Sequence, residues 1–302
     1  MAAKPECVVE AGCWLAEGPC WNAAEQSLYW TDVPARRLYR WSPKGGLHHW
    51  DVPNMITAMA PRTRGGLLVA EVHGLSFFDT ETGRLTPFVA PEADKPLNRS
   101  NDGGCDRQGR FWYGTMYNNL ADDGSPIDIP GSTGSLYRVD PDGTWHTMVT
   151  DVGISNTLAW TADEKRFYFA DTFAGIYAFD YDAASGTISN RRPFAMQDRP
   201  DLEGRGHPDG SAIDAEGFLW NCRWDGGCVI RFAPDGSIDR IVELPCSRVT
   251  SAVFGGPDLD TLYITTVTYG LDEAQRADQP LAGSIFAYDP GVRGLPQGVF
   301  AG

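Results

Sequence analysis

The chain predicts an all-β fold, a six-bladed β-propeller of four-stranded antiparallel blades. Three observations carry that prediction. A pair of aromatic strands recurs six times, the copies stand about 40 to 55 residues apart, and helical periodicity is almost absent. Alternating and short apolar runs bounded by Gly, Pro and Asp fill the chain instead.

Each unit opens on a small apolar run, at residues 19–21, 58–60, 158–160, 212–213 and 252–254, with the third copy ending at Cys105. A polar turn follows, such as Asp214-Ala215-Glu216-Gly217. The second strands are Leu28-Tyr29-Trp30, Gly66-Leu67-Leu68, Arg110-Phe111-Trp112, Arg166-Phe167-Tyr168, Phe218-Leu219-Trp220 and Thr261-Leu262-Tyr263. The third strands fall at residues 38–41, 75–78, 136–139, 176–179, 229–232 and 285–288. They run into tight hairpins such as Asp140-Pro141-Asp142-Gly143. A more polar fourth strand, residues 237–244 for example, forms the rim and discourages edge-to-edge pairing. Blades spread from end to end imply one domain over residues 1–302. Cys7-Val8-Val9-Glu10-Ala11 has no blade before it and is expected to add an outer strand to the last one. Residues 117–133 break the rhythm inside the third unit, as a lid or as a surface excursion.

Composition narrows the function. A net charge of −15 argues against nucleic acid and anionic membranes as partners, both of which need basic patches. No apolar run is long enough to span a bilayer, and Lys4, Glu6 and Glu10 interrupt any signal core, so a cytoplasmic protein is expected. The seven cysteines include no CxxC pair, which speaks against a paired-thiolate zinc site and a disulfide framework; they read as small core residues. No Ser or Cys sits in a nucleophile-elbow context. His48-His49 belongs to an outer strand. Oligomeric state stays open between monomer and weak dimer.

The phase of the repeat locates a site. Counting back four residues from Trp21, Ala60, Cys105, Trp160, Ile213 and Phe254 gives Glu17, Ile56, Asn101, Asn156, Asp209 and Thr250. First strands line the central channel, so equal phase means equal height around it. Four of the six positions bear a carboxylate or a carboxamide, and two like charges in a channel are costly without a counter-cation. An all-oxygen donor set suits Ca²⁺, Mg²⁺ or Mn²⁺ best, with Zn²⁺ or Fe²⁺ less favoured. Glycines after these positions permit close backbone approach. Arg99 and His207 each stand two residues from a site position, Arg99 as a candidate for binding substrate oxygens.

At these residues the chain resembles the SMP-30/gluconolactonase/LRE family. The matching phrases are Ala16-Glu17-Gly18-Pro19, Arg99-Ser100-Asn101-Asp102-Gly103, Ile154-Ser155-Asn156, Pro208-Asp209-Gly210-Ser211 and residues 250–256. The resemblance implies a six-bladed propeller with one divalent metal, held by Glu17, Asn156 and Asp209. It implies Arg99 and Asn101 as substrate-binding groups and Asp209 also as general base. Where relatives carry a glutamate that contacts substrate, this chain carries Asn119; Asp122 or Asp123 can replace it only in a differently folded loop. The expected activity is metal-dependent hydrolysis of a sugar-derived lactone to its aldonic acid. The alternatives are a metal-binding regulatory protein without catalysis and an arylesterase or phosphotriesterase-like hydrolase.

Overall fold

The computed structural model describes residues 4–302; residues 1–3, the start of the N-terminal stretch read above for a signal, lie outside that description. Twenty-four strands form six separate four-stranded antiparallel sheets. Their inner strands are Ala16–Asn22, Ile56–Pro61, Asn98–Cys105, Ser155–Trp160, His207–Ile213 and Val249–Gly255. Each inner strand packs on the next, and the sixth packs on the first, so the ring is closed. The fold is a six-bladed propeller.

Both faces of the middle strands are buried, which explains why they read as continuous apolar runs and not as apolar–polar alternation. In the second blade, Leu67 and Val69 face the first blade while Leu68 and Ala70 face the third. The period of two thus feeds two cores from one strand. Six apolar clusters result, one at each seam between blades. Trp30, Trp112, Trp220 and Tyr168 anchor them without solvent exposure. The rim strands are exposed, Gly46–Asp51 with His48 and His49 among them. All seven cysteines are free, six of them buried and Cys7 half-buried.

The ring is joined at two places. Glu6–Val9 runs antiparallel to Ile285–Tyr288 as the outermost strand of the sixth blade, with Cys7 opposite Phe286. At the face opposite the inner-strand starts, the C-terminal segment crosses the base as a strap. Trp21 N donates to Gln297 Oε1 at 2.8 Å, Gly294 N to Leu259 O at 2.7 Å, Phe300 N to Pro61 O at 2.8 Å and Ala301 N to Gly109 O at 3.1 Å. Phe300 is fully buried between the second and third blades.

Among the described residues helix is confined to two short pieces, Pro200–Leu202 as a 3₁₀ turn and Glu273–Asp278. The second carries a capping box between Asp272 and Gln275, a signal legible in the sequence but outweighed there by the strand pattern. Among the described residues no helix is long and apolar enough to cross a membrane.

The loop at residues 117–133 lies across the end of the ring where the inner strands begin. Leu120 is buried in an apolar collar with Leu15, Val33, Met55 and Val267. Asp122 reaches Arg36 of the first blade at 3.5 Å, and a Cβ at Gly124 would collide with the Trp14 ring. The loop therefore bridges the third blade to the first over the channel mouth.

Candidate functional site

All six inner strands carry the same irregularity at the same height. Pairing with the second strand slips by one residue between Glu17 and Cys20, Ile56 and Ala58, Ser100 and Gly103, Asn156 and Leu158, Pro208 and Ser211, and Val249 and Ala252. A one-residue bulge twists a strand locally and redirects a side chain. Here it falls at the six positions picked out by the repeat. Gly18 and Thr157, at equivalent places, adopt φ of 55°. For Thr157 that conformation is strained. It is held by hydrogen bonds from Thr157 Oγ1 to Asp209 O (2.6 Å) and with Ser211 Oγ (2.8 Å). The following glycines are needed for packing: a Cβ on Gly18 would stand 2.7 Å from Thr57 O, and one on Gly210 2.5 Å from Ser251 Cβ.

A hydrogen-bond chain links the polar side chains across three blades. Arg99 is 4% exposed. Its Nε and Nη2 donate to Asn119 Oδ1 at 3.1 and 2.8 Å. Its Nη1 donates to Ser100 O and to Asn101 Oδ1, both at 2.7 Å. Asn101 Nδ2 donates to Ser155 O (2.9 Å) and Asn156 Oδ1 (3.1 Å). Asn156 Nδ2 donates to Thr172 Oγ1 at 2.9 Å, and Thr172 Oγ1 donates to Pro208 O at 3.0 Å, next to Asp209. Asn156 thereby has its amide nitrogen engaged on one side and a lone pair of Oδ1 free for a further partner.

The carboxylates stand in a hostile setting. Burial and then the Asp102 charge push Glu17 up to about 8. Burial, then Glu17 and Asp102, hold Asp209 well above the ordinary carboxylate range. Burial raises Asp102 to about 6, against hydrogen bonds from the Gly103 and Thr157 backbone. Burial lowers Arg99 to about 10, with Glu17, Tyr269 and Asp209 opposing. The Glu17 and Asp209 carboxyls thus feel the charge of Asp102, which lines the cavity beneath them, and the opposing charge of the Arg99 guanidinium.

A divalent cation bound there would offset that imbalance. Among the described residues no three His, Cys, Asp or Glu side chains gather as a metal cluster. The candidate donor set is accordingly mixed: the carboxylates of Glu17 and Asp209 with the carboxamide oxygen of Asn156. Such oxygens fit a hard divalent ion. Beneath this level the channel continues as a cavity of about 110 Å³ lined by Met59, Trp160, Ile213, Phe254 and Gln297.

The sequence profile of the family described as SMP-30/Gluconolactonase/LRE-like region matches residues 15–268. The chain belongs to this family. A pentonolactonase of Haloferax volcanii is 37% identical over 96% of both chains. A 6-deoxy-6-sulfogluconolactonase of Pseudomonas putida is 36% identical over 98% of both. Among solved structures, a calcium-binding regucalcin of Agrobacterium tumefaciens superposes with a TM-score of 0.90 at 29% identity, covering 99% of this chain and 98% of that one.

Within this SMP-30/gluconolactonase-like frame, Arg99, Asn101, Asn119 and Asn156 are joined by direct hydrogen bonds, and the charges of Glu17 and Asp102 raise the proton affinity of Asp209. Asn119 turns its oxygen to Arg99. Asp122 pairs outward with Arg36, and Asp123 is exposed with Oδ1 taking the Ser125 N–H, so neither stands in for the relatives' glutamate. His207 is exposed on its strand. Sequence reasoning passed over Asp102, which reads as a spacer before Gly103 yet carries a charge felt by both Glu17 and Asp209. It also passed over Thr172, whose place at the second-strand end of the fourth blade has no motif to mark it.

Proposed function

We propose that the protein hydrolyses a sugar-derived lactone to the corresponding aldonic acid at the channel mouth, with one divalent ion held by Glu17, Asn156 and Asp209. The reading rests on one observation above others: Glu17 and Asp209, both of raised proton affinity, sit at the same bulge of their inner strands as the hydrogen-bonded Asn101 and Asn156. The lactonase names of two relatives at 36–37% identity support the substrate class. Kinship with a calcium-binding protein supports a hard divalent ion.

When bound, the ion would polarise the lactone carbonyl and acidify a water molecule. The chain's own residues do the rest. Asp209 accepts the proton of the attacking water at a carboxylate oxygen. Arg99 and Asn101 orient the sugar oxygens and stabilise negative charge that develops as the ring opens. Asn156 keeps Asn101 in place through the Oδ1 contact. The bridging loop at residues 117–133 shields the mouth from bulk water.

Proton release from a panel of aldonolactones, measured with and without chelator, tests the reading. Metal-dependent opening well above the spontaneous rate is the expected result. Metal binding without any acceleration would instead support a regulatory protein, and faster turnover of aryl esters an arylesterase-like hydrolase.

A further inference from the structure

A second hollow opens beside the mouth, at the same end of the ring. It is a cavity of about 550 Å³, walled by residues 53–55, 71–76 and 87–90 of the second blade and by residues 118, 120 and 122 of the bridging loop. Small-molecule sites commonly have volumes of about 300 to 1,000 Å³. None of the side chains assigned to lactone opening lines it. Residues 118–120 stand between the two places: Asn119 turns its oxygen to Arg99, whereas Asn118 and Leu120 on either side of it line the hollow.

The hollow has fixed polar groups that solvent can reach. Glu71 is half-buried; its Oε1 accepts from Asn54 Nδ2 at 2.8 Å and its Oε2 from Ser76 Oγ. Both donors are neutral, and the one guanidinium on the wall, Arg36, is turned to Asp122 at 3.5 Å. Each Glu71 oxygen therefore keeps a lone pair, and its charge has no cation beside it. Asn118 Oδ1 accepts Leu120 N at 3.1 Å, which fixes that amide. Among the described residues nothing accepts from Asn118 Nδ2 or donates to Asn54 Oδ1, and both side chains are at least half-open to solvent. Met55, Val72, Leu75 and Leu120 supply an apolar wall.

We infer that this hollow is a second ligand site, for a neutral, hydroxyl-rich molecule of monosaccharide size. Acceptors at Glu71 and Asn54 beside donors at Asn118 call for a partner that both gives and takes hydrogen bonds. Hydroxyl groups do both; an ammonium group only gives and a carboxylate only takes. A carboxylate would also meet the uncompensated charge of Glu71. The site goes beyond the lactonase reading and does not depend on it. It nevertheless shares backbone with the mouth, since Ser100 N donates to Val72 O at 3.2 Å and Ser100 Oγ to Glu71 O at 2.7 Å. A molecule bound at either place can thus be felt at Met55, so the test includes a variant that fills the hollow.

The Met55 methyl group, labelled with carbon-13, is the reporter. D-Glucitol, which has no lactone to open, is titrated against full-length wild type, Ala90→Trp and Glu71→Gln while the Met55 resonance is followed by NMR. Ala90 is exposed on the wall of the hollow, so an indole there occupies the space without entering the core. Wild type is expected to show a saturable shift. The shift should vanish in Ala90→Trp with the thermal midpoint unchanged, and Glu71→Gln should need about tenfold more glucitol, the scale of one hydrogen bond to a charged group. No shift in wild type, an equal shift in Ala90→Trp, an unchanged titration of Glu71→Gln, or a response to ethanolamine hydrochloride or sodium gluconate at lower concentration than to glucitol would overturn the inference. Lactone turnover enters none of these readouts, so their failure leaves the functional reading standing, and the converse holds as well.

Discussion

Replacing Glu17 by glutamine should strengthen the metal-free protein and weaken the metal-loaded one. In the metal-free state burial, then Asp102, raise the Glu17 pKa from 4.5 to about 8. An acid with a higher pKa in the folded state binds more protons there than in the unfolded chain. Its contribution to stability is complete below about pH 4.5 and disappears as the pH rises through about 8. At roughly 1.4 kcal/mol per pH decade the interval sets a ceiling near 5 kcal/mol. Local relaxation and proton sharing with Asp209 reduce that to about 2 kcal/mol, some 4 °C in Tm for a chain of this size. Thermal unfolding in chelator should therefore show Glu17→Gln above wild type at pH 8.5 and level with it near pH 4.5. A divalent ion at about a hundred times its Kd adds about 2.7 kcal/mol to wild type and reverses the order, because the amide is a poorer ligand. Coincident melting at pH 8.5 in chelator, or equal stabilisation of both proteins by the ion, would refute the assignment of Glu17 as a strained metal ligand.

Three further outcomes follow from the geometry. Gly18→Ala should lose about 2–4 kcal/mol in urea unfolding, since the new Cβ meets Thr57 O at 2.7 Å in a left-handed backbone; near-wild-type stability would mean that the first two blades tolerate separation. Asp209→Asn should cut turnover by about a thousandfold and weaken ion binding in calorimetry, whereas full metal-dependent turnover would end its role as base. Asn119→Glu sets a carboxylate against Arg99 where the amide oxygen now lies at 2.8 Å. It should lower kcat/KM for sugar lactones about tenfold by engaging the guanidinium, and an unchanged kcat/KM would show that Arg99 does not bind the substrate.

Much of the ring was legible because burial on both faces leaves a strong trace. Leu28-Tyr29-Trp30 and Phe218-Leu219-Trp220 can only be interior strands, and six such pairs allow little but a closed ring. The mouth was legible for the opposite reason. Glu17, Asn101, Asn156 and Asp209 interrupt apolar runs at one phase, and the recurring bulge puts that phase at one height. What escaped depends on contacts distant in sequence. Tyr269 enters from a loop with no period, and the course of residues 117–133 is set by where Leu120 and Asp122 find partners on other blades. The helix at Glu273–Asp278 stands in the same connection as Tyr269, where the repeat has no say.

The strap at the base has a kinetic consequence. Gln297 and Phe300 are bound across the base of the ring, and on the lactonase reading a ligand enters and leaves by the opposite mouth. A reactant cannot queue behind a departing product. On that reading, ring opening would turn a neutral lactone linkage into a carboxylate, so the product in the doorway would be the one with most affinity for the ion and for Arg99. Release would then set the pace, and accumulated acid would compete directly with fresh lactone at the mouth.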